Sequence, residues 1–236
     1  MGTEIDVVDQ RYFQTQIEEY LSNDYLNIVS FISVQMIERA ENDEKYRELF
    51  GRIDYMLPSE ETLLLSYYGE TRKYKHAMCG CKSLKMIDHK IQELSKVVWI
   101  LCSKEEDGQL LKQLIRRDYP NIQVAGVETI VDEQDTERVV NAINAVVPDV
   151  LLCAMESPLQ EEWLFHNSAL LNSKLCFALG EIMNEIRKYS KETPGFIKKL
   201  KIEKLYDYLK NRGSDRTYKA RLFRKKLEQY NNKKGE

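Results

Sequence analysis

PDVLLCAMESPLQEEW, residues Pro148 to Trp163, passes within one short stretch from an apolar run to a proline-marked helix start. Val150–Leu152 is continuously apolar, which suits a strand buried on both faces. Ser157-Pro158 then opens a helix, because proline is tolerated in the first helical turn, and Gln160, Glu161 and Trp163 follow on it. Strand, loop at the carboxyl end and helix make half of a βαβ unit. In open α/β sheets ligands gather at such carboxyl ends.

The same grammar repeats on both sides. Asp9–Leu21 carries Phe13, Ile17 and Leu21 at helical spacing, and Leu26–Val34 is apolar and β-branched, a buried strand. Gln35–Phe50 reads as one helix with a charged face, and Ile53–Leu57 as a short strand ended by Pro58. Ser59 stands ready to cap a helix whose first turn holds Glu60 and Glu61. Residues 69–83 are irregular and basic. Leu84–Leu94 is an amphipathic helix and Val97–Cys102 a strand. Glu105–Asp118 is a helix striped with Leu110, Leu111, Leu114 and Ile115, followed by strand Ile122–Val127 and helix Asp135–Val146. After Pro158–Asn167 come a strand at Lys174–Leu179 and a helix from Gly180 to about Lys188. This alternation predicts a Rossmann-like parallel sheet covered by helices, a domain over residues 1–194. Beyond Thr193-Pro194-Gly195 the pattern turns basic and helical, an appendage over 195–236.

Charge follows the same division. The formal net charge is −3, yet residues 195–236 hold 14 basic and 5 acidic side chains, against 21 and 33 in the rest. An acidic body with a basic tail points the tail at an anionic surface. Arg212, Arg216, Arg221 and Arg224 are its candidate membrane- or acceptor-binding residues. The tail lacks the aromatic interleaving of nucleic-acid modules, so no nucleic acid is expected. No apolar run is long enough to span a bilayer, and the acidic start carries neither a secretory core nor, with Asp6 where Ser or Thr is needed, a myristoylation pattern. Five cysteines suit reduced thiols. Cys79-Gly80-Cys81 with His76 and His89 falls short of a four-ligand zinc pattern, so no metal and no cofactor are expected. His166 reads as a surface or packing histidine.

The Pro148–Trp163 string resembles the "PD…SPxQExW" signature of bacterial glycosyltransferases of the WecG/TagA/CpsF type. The likeness extends through Leu26–Ile37, Ile53–Gly69, Val97–Gly126, Ala178–Pro194 and Phe196–Leu209. It implies a sugar transferase that takes a UDP-sugar, inverts the anomeric centre and acts on a polyprenyl-diphosphate-linked acceptor at the cytoplasmic face of the plasma membrane. It implies substrate contacts at Ser33, Ser157, Pro158, Gln160, Glu161, Gly180 and Asn184.

The chain departs from that pattern where chemistry is expected. Ser59 stands at the family's general-base Asp, and a serine needs its own activating base to accept a proton. Phe31 and Ser33 replace a Thr and an Asn. Ala154, Glu156 and Glu181 replace glycines, and Asn184 an Asp. Glu156 and Glu181 put like charge beside a diphosphate. The resemblance with these departures implies a catalytically impaired relative, acting as scaffold or partner of an active paralogue or of itself. The alternative is an active enzyme with Glu60 or Glu61 as substitute base.

Overall fold

The computed structural model describes residues 5–68, 76–132 and 134–192. In chain order these form α1 (Gln10–Ser22), β1 (Asn27–Ile32), α2 (Val34–Asn42), α3 (Glu44–Glu48), β2 (Tyr55–Pro58), α4 (Glu61–Tyr68), α5 (Gly80–Glu93) and β3 (Val97–Cys102). There follow α6 (Glu105–Asp118), β4 (Gln123–Thr129), α7 (Asp135–Val146), β5 (Val150–Ala154), α8 (Leu159–Asn167), β6 (Leu175–Ala178) and α9 (Gly180–Glu192). The six strands are all parallel, in the order β2-β1-β6-β5-β3-β4. This is the Rossmann-like α/β sheet that the alternation predicts. The appendage lies outside the described residues.

Successive strand residues point to opposite faces, and that alternation divides the core. One face gathers Val29, Phe31, Leu57, Val98, Ile100, Leu152 and Phe177 beneath α1, α5, α6 and α9. On the other, Trp99, Leu101, Leu151, Cys153 and Cys176 lie under α7 and α8, while Ile32 meets Met36, Ile37, Tyr46 and Leu63 of α2, α3 and α4. Both faces are covered, so β5 and β6 are buried at every position.

Three expectations are corrected. Gln35–Phe50 is not one helix. Asp43 closes α2 through its backbone N–H to the Arg39 carbonyl, and its carboxylate accepts the Tyr46 N–H to start α3, with a 3-10 turn at Leu49–Arg52. An aspartate that can bond the backbone ahead of it breaks a helix as readily as it caps one. Residues 80–83 belong to α5, which begins at Gly80 rather than Leu84. Gly80 has a φ of 55°, and a Cβ there would lie 2.8 Å from the Ser59 carbonyl oxygen, so only glycine turns this corner. The last helix runs past Lys188 to Glu192.

Asp149, the "D" of the opening string, works at the amino ends of the strands. Its carboxylate accepts the Val97 N–H at 3.0 Å and pairs with Lys96, and its carbonyl accepts from Lys174 and Leu175. One residue thus ties β3, β5 and β6 together. Among the described residues no helix is long and apolar enough to cross a membrane.

The ladder between β3 and β4 shifts register between Val98 and Trp99, where the indole packs onto Gly126. A Cβ on Gly126 would meet the Trp99 ring at 2.5 Å. Gly126→Ala is therefore expected to lower the stability read by urea denaturation by roughly 1–3 kcal/mol, the usual cost of overpacking. A change of less than about 0.5 kcal/mol, the range of ordinary surface substitutions, would show that the indole moves aside freely.

Candidate functional site

The connections leaving neighbouring strands diverge at the carboxyl edge. β1 runs into α2 on one face, and its neighbour β6 runs into α9 on the other. β5 and β3 separate in the same way, through α8 and α6. Such divergence opens a crevice at the strand ends. Ser33, Ser59, Glu60, Met155–Pro158, Gly180 and Glu181 border it.

The best-ordered wall is the Ser157–Glu161 string. Ser157-Pro158 is a cis peptide, and Pro158 occupies the position before α8 without a side-chain cap from Ser157. The Ser157 hydroxyl instead meets the Tyr46 hydroxyl at 2.7 Å. Tyr46 also donates to Glu161 at 3.3 Å. Glu161 is buried, and its other oxygen accepts from the Gln160 amide at 3.1 Å. Gln160 has no exposed surface, and its carbonyl oxygen accepts the Gly180 N–H at 3.0 Å. Both ends of this amide are occupied, so it fixes α8 against the start of α9. Gly180 is enclosed: a Cβ there would stand inside the van der Waals surface of the Met155 carbonyl oxygen. Burial, then the Glu161 carboxylate, pushes the Tyr46 phenol upward, so it stays a donor. Trp163 is a packing residue whose indole N–H reaches the Thr136 hydroxyl.

The opposite wall carries the departures. Ser33 caps α2 by accepting the Met36 N–H at 3.2 Å. Ser59 is buried, and its N–H continues the ladder to the Ile32 carbonyl. Glu60 is exposed, and Glu61 pairs with Lys82 at 2.5 Å. Glu181 is half-buried among carboxylates. Burial raises its pKa, the Ser33 hydroxyl opposes that, and Glu161, Glu60 and Glu156 add to it.

Two cations stand beside the crevice. Lys104, after β3, pairs with Glu156. Arg187 on α9 grips the buried Asp107 of α6 through two nitrogens, and its third reaches the Asn184 side-chain oxygen at 2.7 Å. Asn184 therefore serves Arg187, on the surface rather than in the crevice. A groove of about 670 Å³ lined by Lys104, Asp107, Gln109, Gln113, Arg187 and Ser190 runs between α6 and α9. At the start of α5, burial pushes the Cys79 thiol up to about 12 and raises Cys81 as well, and among the described residues no group of three or more His, Cys, Asp or Glu could hold a metal.

The structure thus brings together Ser33, Ser157, Pro158, Gln160, Glu161 and Gly180, and sets Asn184 apart. Arg212, Arg216, Arg221 and Arg224 lie outside the described residues. Sequence reasoning missed Tyr46, because nothing local links it to Ser157, 111 residues onward. It missed Arg187 with Asp107 for the same reason, 80 residues apart. Glu181 was legible only as an obstacle to phosphate. Ser33 and Glu181 come to neighbouring strand exits only because β1 and β6 lie side by side.

The family model described as "Glycosyl transferase WecG/TagA/CpsF family" matches residues 1–228. A Staphylococcus aureus strain MRSA252 protein, named N-acetylglucosaminyldiphosphoundecaprenol N-acetyl-beta-D-mannosaminyltransferase, is 22% identical over 214 residues, covering 87% of this chain and 82% of its own. Proteins of the same name from S. aureus strains NCTC 8325 / PS 47 and COL are each 21% identical over the same coverage. The chain belongs to the WecG/TagA/CpsF family of glycosyl transferases.

Proposed function

We propose that this protein transfers a sugar from a UDP donor to an N-acetylglucosamine carried on a polyprenyl diphosphate, a step in cell-surface polysaccharide assembly. The family match over residues 1–228 carries the reading, and the relatives are named for this kind of transfer. The strand-end geometry supports it. The crevice is bordered by the amino ends of α2 and α9, whose N–H groups suit a diphosphate. The neighbouring groove adds Lys104, Arg187, Gln109 and Gln113, set among Glu105, Glu106 and Leu110. No metal enters the reading, and the leaving diphosphate would draw on these cations.

A second reading is a non-catalytic partner, paired with an active paralogue or a second copy of this chain. One observation favours it: Ser59, at the family's base position, is buried and has no hydroxyl contact to a base among the described residues. A single titration addresses both readings. Calorimetry with UDP and UDP-N-acetylmannosamine is expected to give saturable heat at millimolar ligand or below, weakened in Gln160→Ala because the Gly180 N–H and Glu161 lose their buried partner, at roughly 1–3 kcal/mol. No heat from either ligand would sink the transferase reading. Binding with no UDP release in the presence of a lipid-diphosphate acceptor would leave the partner reading standing.

We also place the protein peripherally at the inner face of the plasma membrane, held by its basic tail. Near an anionic surface each Lys or Arg contributes ~1 kcal/mol. Changing Arg212, Arg216, Arg221 and Arg224 together to Gln in the full chain should weaken flotation with phosphatidylglycerol vesicles by about two to three orders of magnitude. Equal flotation of variant and parent would remove the tail from membrane binding.

A further inference from the structure

We propose that the Ser157 hydroxyl serves as a hydrogen-bond acceptor for a hydroxyl of the nucleotide sugar, and that Tyr46 is the positioning residue that holds it in that state. This inference rests on the transferase reading above and deepens it. It names the part of the donor that this wall of the crevice reads: a hydroxyl of the ribose or of the transferred sugar, not a phosphate oxygen.

A backbone group of fixed polarity sets the direction of every bond that follows. The Gly180 N–H can only donate, and it donates to the Gln160 side-chain oxygen at 3.0 Å. The other end of that amide is therefore its nitrogen, which donates to one oxygen of Glu161 at 3.1 Å. A carboxylate only accepts, so the Tyr46 phenol commits its single hydrogen to the other Glu161 oxygen at 3.3 Å. The phenol oxygen also stands 2.7 Å from the Ser157 hydroxyl oxygen, a hydrogen-bond distance. With the phenol hydrogen already committed, Ser157 supplies the hydrogen of that bond. Burial, then the Glu161 carboxylate, raises the Tyr46 pKa, so the phenol keeps its hydrogen and the order is preserved.

Packing holds the relay still. Tyr46 is buried, with the Phe50 ring edge-on at 5.3 Å and the Arg39 guanidinium over its face at 4.5 Å. Gln160 and Glu161 are buried as well. Of the four side chains in the relay, Ser157 alone is partly exposed, at the turn between β5 and α8 that borders the crevice. Its hydrogen is turned inward to Tyr46, so only lone pairs remain for a ligand. The oxygens of a diphosphate carry no hydrogen at neutral pH, and lone pair against anionic oxygen is repulsive. Ribose and sugar hydroxyls each carry a hydrogen and complete the bond.

The test is calorimetry on the full chain with UDP-N-acetylmannosamine, UDP, and the deoxy-UDP analogues lacking one or other ribose hydroxyl. Ser157→Ala should weaken binding by about two- to tenfold, the weight of one neutral hydrogen bond. A loss with UDP-N-acetylmannosamine but not with UDP places the hydroxyl on the transferred sugar. A loss with UDP that vanishes for one deoxy analogue places it on the ribose. Either pattern sustains the proposal. Tyr46→Phe should weaken the same ligands, and the double variant Tyr46→Phe/Ser157→Ala should bind no more weakly than Ser157→Ala, because the pair acts as a unit. The proposal is overturned if Ser157→Ala binds every ligand as the parent does. It is overturned equally by the same loss with UDP and both deoxy analogues, which would put Ser157 on phosphate or base. A double variant whose loss is the product of the single losses overturns the part given to Tyr46. In all these outcomes the parent still binds UDP and the transferase reading stands; a parent chain that binds neither UDP nor UDP-N-acetylmannosamine removes both.

Discussion

The Met155 carbonyl and the Gly180 backbone approach each other so closely that no side chain fits between them. This contact joins the exits of β5 and β6, and the rest of the site is arranged around it. The Gln160 amide seals the junction by accepting the Gly180 N–H and donating to Glu161, which in turn engages Tyr46, and Tyr46 meets Ser157. A buried polar chain of this kind is stable only when each member is satisfied, and here each end of the amide is. Its effect is to fix where α9 starts, and hence where Glu181 stands.

Electrostatically the crevice differs from a plain phosphate cradle. Several carboxylates border it, and the nearby cations are already committed, Lys104 to Glu156 and Arg187 to Asp107. Exposed pairs such as Lys104–Glu156 are weak and can be exchanged for a ligand's phosphate at small cost. The Arg187–Asp107 pair, with its bidentate geometry and buried aspartate, is the fixed one, and it braces α6 against α9. A diphosphate arriving here would compete for Lys104 more readily than for Arg187.

The fold was largely legible in the sequence because its signals are local. The apolar runs at Val97–Cys102 and Val150–Leu152 and the amphipathic stripes at Glu105–Asp118 and Asp135–Val146 have the periods of the elements they form. The misread boundaries were those where a single residue acts in two ways: Asp43, which ends one helix and begins another, and Gly80, whose φ lets α5 start four residues early. The site was half legible. Ser157, Gln160 and Glu161 are contiguous and could be recognised as a string. Tyr46 and Arg187 reach partners that only the strand order brings near, and no local pattern encodes that order.

Asp149 gives this arrangement a further meaning. It gathers β3, β5 and β6 at the amino pole of the sheet, by bonds to three backbone N–H groups and a pairing with Lys96. Strand alignment is thereby settled far from the loops that do chemistry. The carboxyl-end loops add backbone ties of their own, such as the Ser59 N–H to the Ile32 carbonyl, so the side chains at 59, 156 and 181 can vary without the sheet slipping. A sheet aligned from one pole leaves side chains at the other free to change.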